Sequence, residues 1–226
     1  LGEKPISNEI DKAEEMVGAA RSKGLCYGIN LNHRFTPLAR RARQWIDEGR
    51  LGPLLFINAA MWIKNPRESS PWFQIKALHP HTIDIMRYFC GDVVQVQAFM
   101  GKPSYRIKDA DPMVSINSIH LRFASGATGY LFSSRGDTTM ALGGWWHVEV
   151  GGTKGTFVIE NCVEKLTYQP AHGNPEAGET PKGLGVALAA IVTDTGLKDF
   201  GLTFPRRIHC FLEDVTNRVP KHKLRA

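Results

Sequence analysis

Residues 145–160 read WWHVEVGGTKGTFVIE, and this stretch decides the fold. Trp145 to Val150 and Thr156 to Glu160 alternate apolar and polar side chains, as strands with one buried face do. Between them, the glycines of the segment Gly151 to Gly155 indicate a tight turn. The stretch therefore predicts two antiparallel strands joined in a hairpin.

Similar alternating segments fill much of the chain after Gly91. They cover Val93 to Met100, Met113 to Phe123, Ala127 to Ser134 and Val163 to Tyr168. The turn signal Ser125-Gly126 separates two of these segments. Because hairpins join neighbouring antiparallel strands, we expect one large, open and mostly antiparallel sheet.

Helical segments accompany this sheet and define an α+β fold. One runs from Thr36, a capping residue, to Gly49, and another runs from Pro80 to Cys90. A last helix over Pro205 to Arg218 is expected to bury the apolar residues Ile208, Phe211, Leu212 and Val215. We expect the helices to cover one face of the sheet. The other face then needs a partner, which predicts self-association as a dimer or a tetramer.

The first 32 residues have a different pattern. Ser7 to Lys23 predicts an amphipathic helix, and Leu25 to Leu31 predicts a buried strand. Together they are typical of the last helix-strand unit of an α/β domain. Glu3-Lys4-Pro5 stands where a preceding strand would end, which is the position at which such domains bind cofactors.

Composition excludes several classes of protein. The apolar stretch Leu54 to Trp62 is too short to span a bilayer, and no signal peptide is visible. The four cysteines are scattered, which predicts reduced thiols in a cytoplasmic protein and no metal site. The net charge is +6, but no nucleic-acid-binding motif accompanies it. We therefore expect neither a membrane nor a nucleic acid as a partner.

The segment His79-Pro80-His81-Thr82-Ile83-Asp84 is the strongest candidate site. His81 and Asp84 are three residues apart on a predicted helix and so share a face. Asp84 could orient the imidazole of His81, which could exchange a proton with a hydroxyl or carbonyl group. The alternative is a capping histidine beside a surface aspartate. His79 is either structural or a second polar contact at the rim of the pocket.

Two tryptophans flank the loop that precedes His81. Trp62 and Trp72 could form an apolar wall for the ring of a sugar, although packing in the core is the simpler role. No dinucleotide fingerprint accompanies them. Gly183-Leu184-Gly185 begins such a pattern, but Leu188 stands where its third glycine belongs.

These motifs, taken in order, resemble the Gfo/Idh/MocA family of NAD(P)-dependent sugar and polyol dehydrogenases. The resemblance covers nearly the whole chain. It rests on Glu3-Lys4-Pro5, Asn32-His33-Arg34-Phe35, the segment Trp45 to Gly52, His81-Thr82-Ile83-Asp84 with Arg87-Tyr88 and Gly91, and the hairpin at Gly151 to Phe157.

The resemblance implies a role for each site residue. Lys4 would be catalytic and, with Pro5, would lie near the nicotinamide of NAD or NADP. His81 would be the acid/base for a sugar or polyol hydroxyl, and Asp84 would bind a substrate hydroxyl. Many members carry an aspartate four residues before the histidine, where this chain has Ala77. The proton relay or the substrate could therefore differ.

The resemblance also implies a division into domains. Residues 1–32 would be a remnant of the N-terminal Rossmann domain, and residues 33–226 would form the substrate-binding and oligomerisation domain. We expect the chain to be a piece of a longer protein that by itself binds no cofactor and is inactive. The alternative is a non-catalytic binding or oligomerisation protein that kept the fold.

Overall fold

The structure of the protein is a computed structural model. It describes residues 1–63, 72–101, 115–135, 144–171, 190–197 and 199–219. The loop predicted from Lys64 to Pro71 lies outside these residues.

An open sheet dominates the described part of the chain. In chain order its strands are β1 Leu54–Ile63, β2 Val93–Gly101, β3 Ser115–Phe123, β4 Thr128–Arg135, β5 Trp146–Gly152, β6 Gly155–Glu160, β7 Lys165–Pro170 and β8 Ile191–Asp194. Across the sheet the order is β2-β3-β4-β1-β5-β6-β7-β8. Only the β1–β4 pair among these strands is parallel. The predicted open and mostly antiparallel sheet is confirmed.

The predicted hairpin at residues 145–160 forms as β5 and β6. His147 pairs with Glu160, and Val150 pairs with Phe157. Its glycines permit a close approach, since a Cβ atom on Gly152 would lie 2.3 Å from the carbonyl oxygen of Leu51. The turn therefore packs directly against the segment that leads into β1.

The described helices are α1 Ile10–Ser22, α2 Pro37–Asp47, α3 His79–Cys90 and α4 Thr203–Thr216. Short 3₁₀ turns cover His33–Phe35 and Phe200–Leu202, and a π-helical turn covers Gln74–Leu78. The predicted cap of α2 is confirmed, because the Thr36 hydroxyl accepts a hydrogen bond of 3.1 Å from the Ala39 amide.

The core lies between the sheet and α2 and α3. Alternation along β1 sends Ile57, Ala59 and Met61 to this side, where Ile85 and Met86 of α3 are fully buried. The side chains between them along β1 point to the open face. Helices thus cover one face of the sheet, as predicted.

Two sequence predictions about the ends of the chain are wrong. Leu25 to Leu31 forms no strand: Ile29 makes an isolated parallel bridge to Gly2, and Leu25 is 59% exposed. In α4, Phe211 is buried as predicted, but Ile208, Leu212 and Val215 are exposed. The reason lies in Arg207, which is fully buried and donates a hydrogen bond to the carbonyl of Ile29. The inward side of α4 therefore carries Arg207 and Asp214 together with Cys210 and Phe211.

Candidate functional site

The start of α3 is fixed to the ends of β1 and β4. The Gln74 side chain in the preceding turn donates to the carbonyls of Met61, at 3.4 Å, and Ser134, at 3.3 Å. His79 Nε2 lies 2.7 Å from the hydroxyl of Ser133 in β4. His79 is fully buried, so its observed role is to hold the first turn of α3 on the sheet.

His81 stacks on a second histidine. The rings of His81 and His33 have centroids 4.5 Å apart and an interplanar angle of 4°. Trp146 and Phe200 make T-shaped contacts with the His33 ring, and their ring centroids lie 4.8 and 5.0 Å from that of His33, respectively. Trp146 donates from Nε1 to the Thr82 hydroxyl at 3.1 Å, which ties this group to the helix that carries His81.

Lys4 reaches the same place from the beginning of the chain. Its ammonium group donates a hydrogen bond of 2.5 Å to the carbonyl of Ala77, in the turn before α3. Burial lowers the pKa of Lys4, and the nearby Glu3 opposes that effect. Pro5 follows through a cis peptide bond and is half-buried. The fold therefore brings Lys4, His33 and His81 together.

Burial keeps the histidines of this site neutral. It lowers the pKa of His81 to about 3, with a further contribution from the Lys4 cation. It lowers the pKa of His79 to about 4, and it lowers that of His33 well below the ordinary value, helped by His81 and Lys4. At neutral pH, His81 is thus a neutral imidazole, whose protonated form is disfavoured by burial and by Lys4.

These pKa values predict a loss of stability in mild acid. An unfolded histidine protonates near pH 6.5, whereas the buried rings bind protons only near or below pH 4, so acidification favours the unfolded state. We expect the free energy of unfolding to fall between pH 6.5 and 5 by up to about 1.4 kcal/mol per pH unit for each buried histidine. Urea denaturation across this range measures the slope.

The matched variant for this prediction is His79→Gln, which keeps a hydrogen-bonding group near Ser133. It should show a shallower slope, because one buried titrating group is gone. A stability that stays constant from pH 6.5 to 5 in the unmodified chain contradicts the burial of neutral rings.

Asp84 pairs with an arginine. Arg34 donates to both carboxylate oxygens of Asp84, with Nε 2.8 Å from Oδ2 and Nη2 bonded to Oδ1. Burial raises the pKa of Asp84, and the Arg34 guanidinium opposes that rise. The hydrogen bonds of Asp84 thus go to Arg34, whereas the ring of His81 stacks on that of His33. The substrate contact predicted for Asp84 stays a prediction.

Trp62 and Trp72, which the sequence suggests as an apolar wall, have different environments in the structure. Trp62 points to the open face of the sheet, where its ring meets Phe132 at 5.3 Å between centroids. The sheet therefore separates Trp62 from His81, because neighbouring residues of a strand point to opposite faces. Trp72 is 51% exposed just before the turn that leads to α3. The substrate contacts predicted for Trp62 and Trp72 stay predictions.

Sequence reasoning missed His33, Trp146 and Phe200 as parts of the site. A signal existed for His33, which lies in the motif Asn32-His33-Arg34-Phe35 directly before a capped helix. Trp146 and Phe200 carry no local signal, because their roles arise from packing between distant segments.

Within the described ranges, no group of three or more histidine, cysteine and acidic side chains is arranged to hold a metal ion. Among the same residues, no helix has the length and apolar character needed to cross a membrane.

The family model named GFO/IDH/MocA C-terminal domain matches residues 39–158. That is more than half of the chain, and the chain belongs to the Gfo/Idh/MocA family.

Curated relatives include a levoglucosan dehydrogenase of Pseudarthrobacter phenanthrenivorans, which is 24% identical over 206 residues, covering 77% of this chain and 52% of the relative. Another is the uncharacterized oxidoreductase YrbE of Bacillus subtilis, 29% identical over 171 residues, covering 70% of this chain and 47% of the relative. The chain thus spans about half the length of these relatives.

Solved structures share the fold. A dehydrogenase from Chromobacterium violaceum superposes with a TM-score of 0.76 at 18% identity, covering 96% of this chain and 61% of that one. A levoglucosan dehydrogenase in complex with NADH and levoglucosan gives a TM-score of 0.72 at 20% identity, covering 95% of this chain and 63% of that one.

Proposed function

We propose that this chain forms the substrate-binding and oligomerisation part of an NAD(P)-dependent oxidoreductase that acts on a hydroxyl of a sugar or polyol. The observation that carries the proposal is the meeting of Lys4 and His81. Although they are more than 70 residues apart in the chain, the Lys4 ammonium lies close enough to the buried, neutral His81 to lower its pKa. A relative named levoglucosan dehydrogenase supports the substrate class.

His81 and Lys4 have different roles in the proposed reaction. His81 is neutral at pH 7 and accepts the proton of the hydroxyl during oxidation. The Lys4 ammonium stabilises the negative charge that develops on the same oxygen. In the reverse direction, a protonated His81 returns its proton readily, because burial and Lys4 both disfavour its charged form.

The residues around Lys4 fit one end of a nicotinamide cofactor. A bound nicotinamide supplies the acceptor or donor of hydride. The Lys4 ammonium carries three N–H groups, and the carbonyl of Ala77 takes one of them. The remaining donors can meet a carboxamide or a substrate hydroxyl. We assign the phosphates and the adenosine to residues other than 33–226, since no dinucleotide fingerprint occurs in the sequence.

This assignment divides the chain into two parts. Residues 1–32 go with the cofactor-binding domain, and residues 33–226 form the substrate domain. The exposed apolar side chains of α1 support the division: no residue of α1 is buried, and Ile10 is 78% exposed. Such a helix requires a further surface to pack against.

Titration of this chain with NADH and with NADPH tests the division. We expect no saturable change in nicotinamide fluorescence, because the residues that hold most of the cofactor belong to the other domain. Saturable binding to the chain alone would place a cofactor site within it and would contradict the division.

Self-association is proposed through the open face of the sheet. Tyr130 and Phe132 lie on this face in β4, and Phe99, on the outer strand β2, is 63% exposed. A recess of about 350 Å³ next to them is lined by residues that include Gln97, His120 and Arg122, on the side away from His81. A face with this mixture of aromatic and polar groups suits an interface between copies.

We expect the chain to sediment as a dimer or tetramer at micromolar concentration. Phe132→Glu should shift it towards the monomer, because a charge would replace an aromatic ring in the interface. Glu15→Lys, an exposed change on α1, is the control. A monomer in the unmodified chain at this concentration would contradict the proposal.

The function is tested with the assembled enzyme, meaning this chain together with its cofactor-binding domain. A panel of sugars and polyols, including levoglucosan, is incubated with NAD⁺ or NADP⁺ while the reduced cofactor is followed by absorbance. Turnover of at least one member is expected. Binding of a sugar without turnover of any member would favour the non-catalytic alternative.

A further inference from the structure

The rings of His33 and His81 are stacked, and His33 has no role in the function proposed above. Both rings are buried, with His33 2% and His81 7% exposed. In each ring Nδ1 is buried and has no hydrogen-bond partner among the residues that the structure describes. The hydrogen bond to a carboxylate or carbonyl that often orients a reactive histidine is therefore missing at Nδ1 of His81. Another contact must fix the plane of this ring.

The geometry of the pair excludes proton transfer between the rings. Their planes are parallel to within 4°, with centroids 4.5 Å apart. Ring N–H bonds lie in the plane of the imidazole, so neither ring aims a proton at a nitrogen of the other. The contact between them is face to face, and it acts through packing.

His33 is itself held rigidly. Trp146 and Phe200 approach its ring at interplanar angles of 86° and 76°. The backbone of His33 begins the 3₁₀ turn that leads into α2, and Trp146 is bonded to Thr82. His33 therefore presents a fixed flat surface to His81.

We propose that His33 is a positioning residue whose ring face sets the orientation of the His81 imidazole. This inference rests on the proposed function of His81 as acid/base. His33 neither contacts the substrate nor carries the proton. This positioning role requires a flat aromatic ring at position 33. Phenylalanine also supplies such a ring, and leucine does not.

Nuclear magnetic resonance of this chain tests the proposal without turnover. In the unmodified chain, the ring protons of His81 should show the ring-current shift of a stacked neighbour. We expect His33→Phe to keep a ring-current shift and the low pKa of about 3. His33→Leu fills the volume without a ring and should lose the shift. His33→Ala should admit water and raise the pKa of His81 towards 6.5.

The titrating groups that act on this pair are Lys4 and the two histidines themselves. The control is His209→Phe, the same exchange at an exposed position of α4. It should leave the signals of His81 unchanged. If His33→Leu keeps the ring-current shift, or if His33→Phe loses it, the proposal is overturned. Neither result depends on hydride transfer, so a failure of the proposed function is detected separately, by the turnover assay.

Discussion

Replacing His81 with glutamine is expected to lower kcat of the assembled enzyme by about 10²–10⁴-fold, with little change in KM. Glutamine keeps a polar side chain in the space of the imidazole, but it cannot accept the proton of the substrate hydroxyl. Burial and Lys4 hold His81 in its neutral form, so the loss of the base should be visible throughout the neutral range of pH.

The matched control for this prediction is His209→Gln. His209 is exposed on α4, where its side chain pairs with Glu213, and the same exchange there should leave kcat within a factor of about two. Thermal unfolding of both variants separates a loss of chemistry from a loss of structure. Unchanged turnover in a folded His81→Gln variant would show that His81 is not the acid/base.

Trp146→Ala is expected to destabilise the protein by about 3–5 kcal/mol. Trp146 is 1% exposed and contacts the ring of His33, and its indole nitrogen donates to Thr82 at 3.1 Å. The substitution removes a large buried ring and leaves the Thr82 hydroxyl without its donor. Urea denaturation measures the effect as a lower midpoint.

Trp72→Ala is the comparison, since Trp72 is half exposed. We expect it to cost less than about 1 kcal/mol. An equal loss of stability in the two variants would mean that Trp146 is not a central packing residue of the site. A Trp146→Phe variant should recover part of the lost stability, because it restores the ring but not the hydrogen bond.

Local patterns in the sequence predict most of the sheet and the helices near it, although strand β8 at Ile191–Asp194 was not predicted. The hairpin of residues 145–160 follows from alternation and from glycines at the turn, both of which act over a few residues. The start of α2 follows from the Thr36 cap in the same way. These features do not depend on distant contacts.

The features that failed depend on packing between distant segments. In α4 the apolar residues suggested one buried side, but the contact of Arg207 with the carbonyl of Ile29 selects another. The isolated bridge from Ile29 to Gly2 replaces the strand expected at Leu25 to Leu31. A hydrophobic pattern indicates that an element has a buried side, but the neighbours decide which side it is.

The candidate site shows the same limit. The sequence identified Lys4 and His81, and the structure brings them together. For Trp62 the sequence leaves open a sugar-binding wall or packing in the core, and the alternation of β1 points its side chain to the open face, where it contacts Phe132. The motif Asn32-His33-Arg34-Phe35 marked His33 in the sequence, but its contact with His81, 48 residues away, is visible only in the structure.

The most direct test of the account follows a deuterium atom through the reaction. The assembled enzyme is given NAD⁺ or NADP⁺ and the sugar or polyol that shows turnover, deuterated at the carbon of the oxidised hydroxyl. The reduced cofactor is then analysed by mass spectrometry. We predict that the deuterium appears on the nicotinamide, at a rate that falls with kcat in His81→Gln. A product oxidised without deuterium on the cofactor would contradict the account.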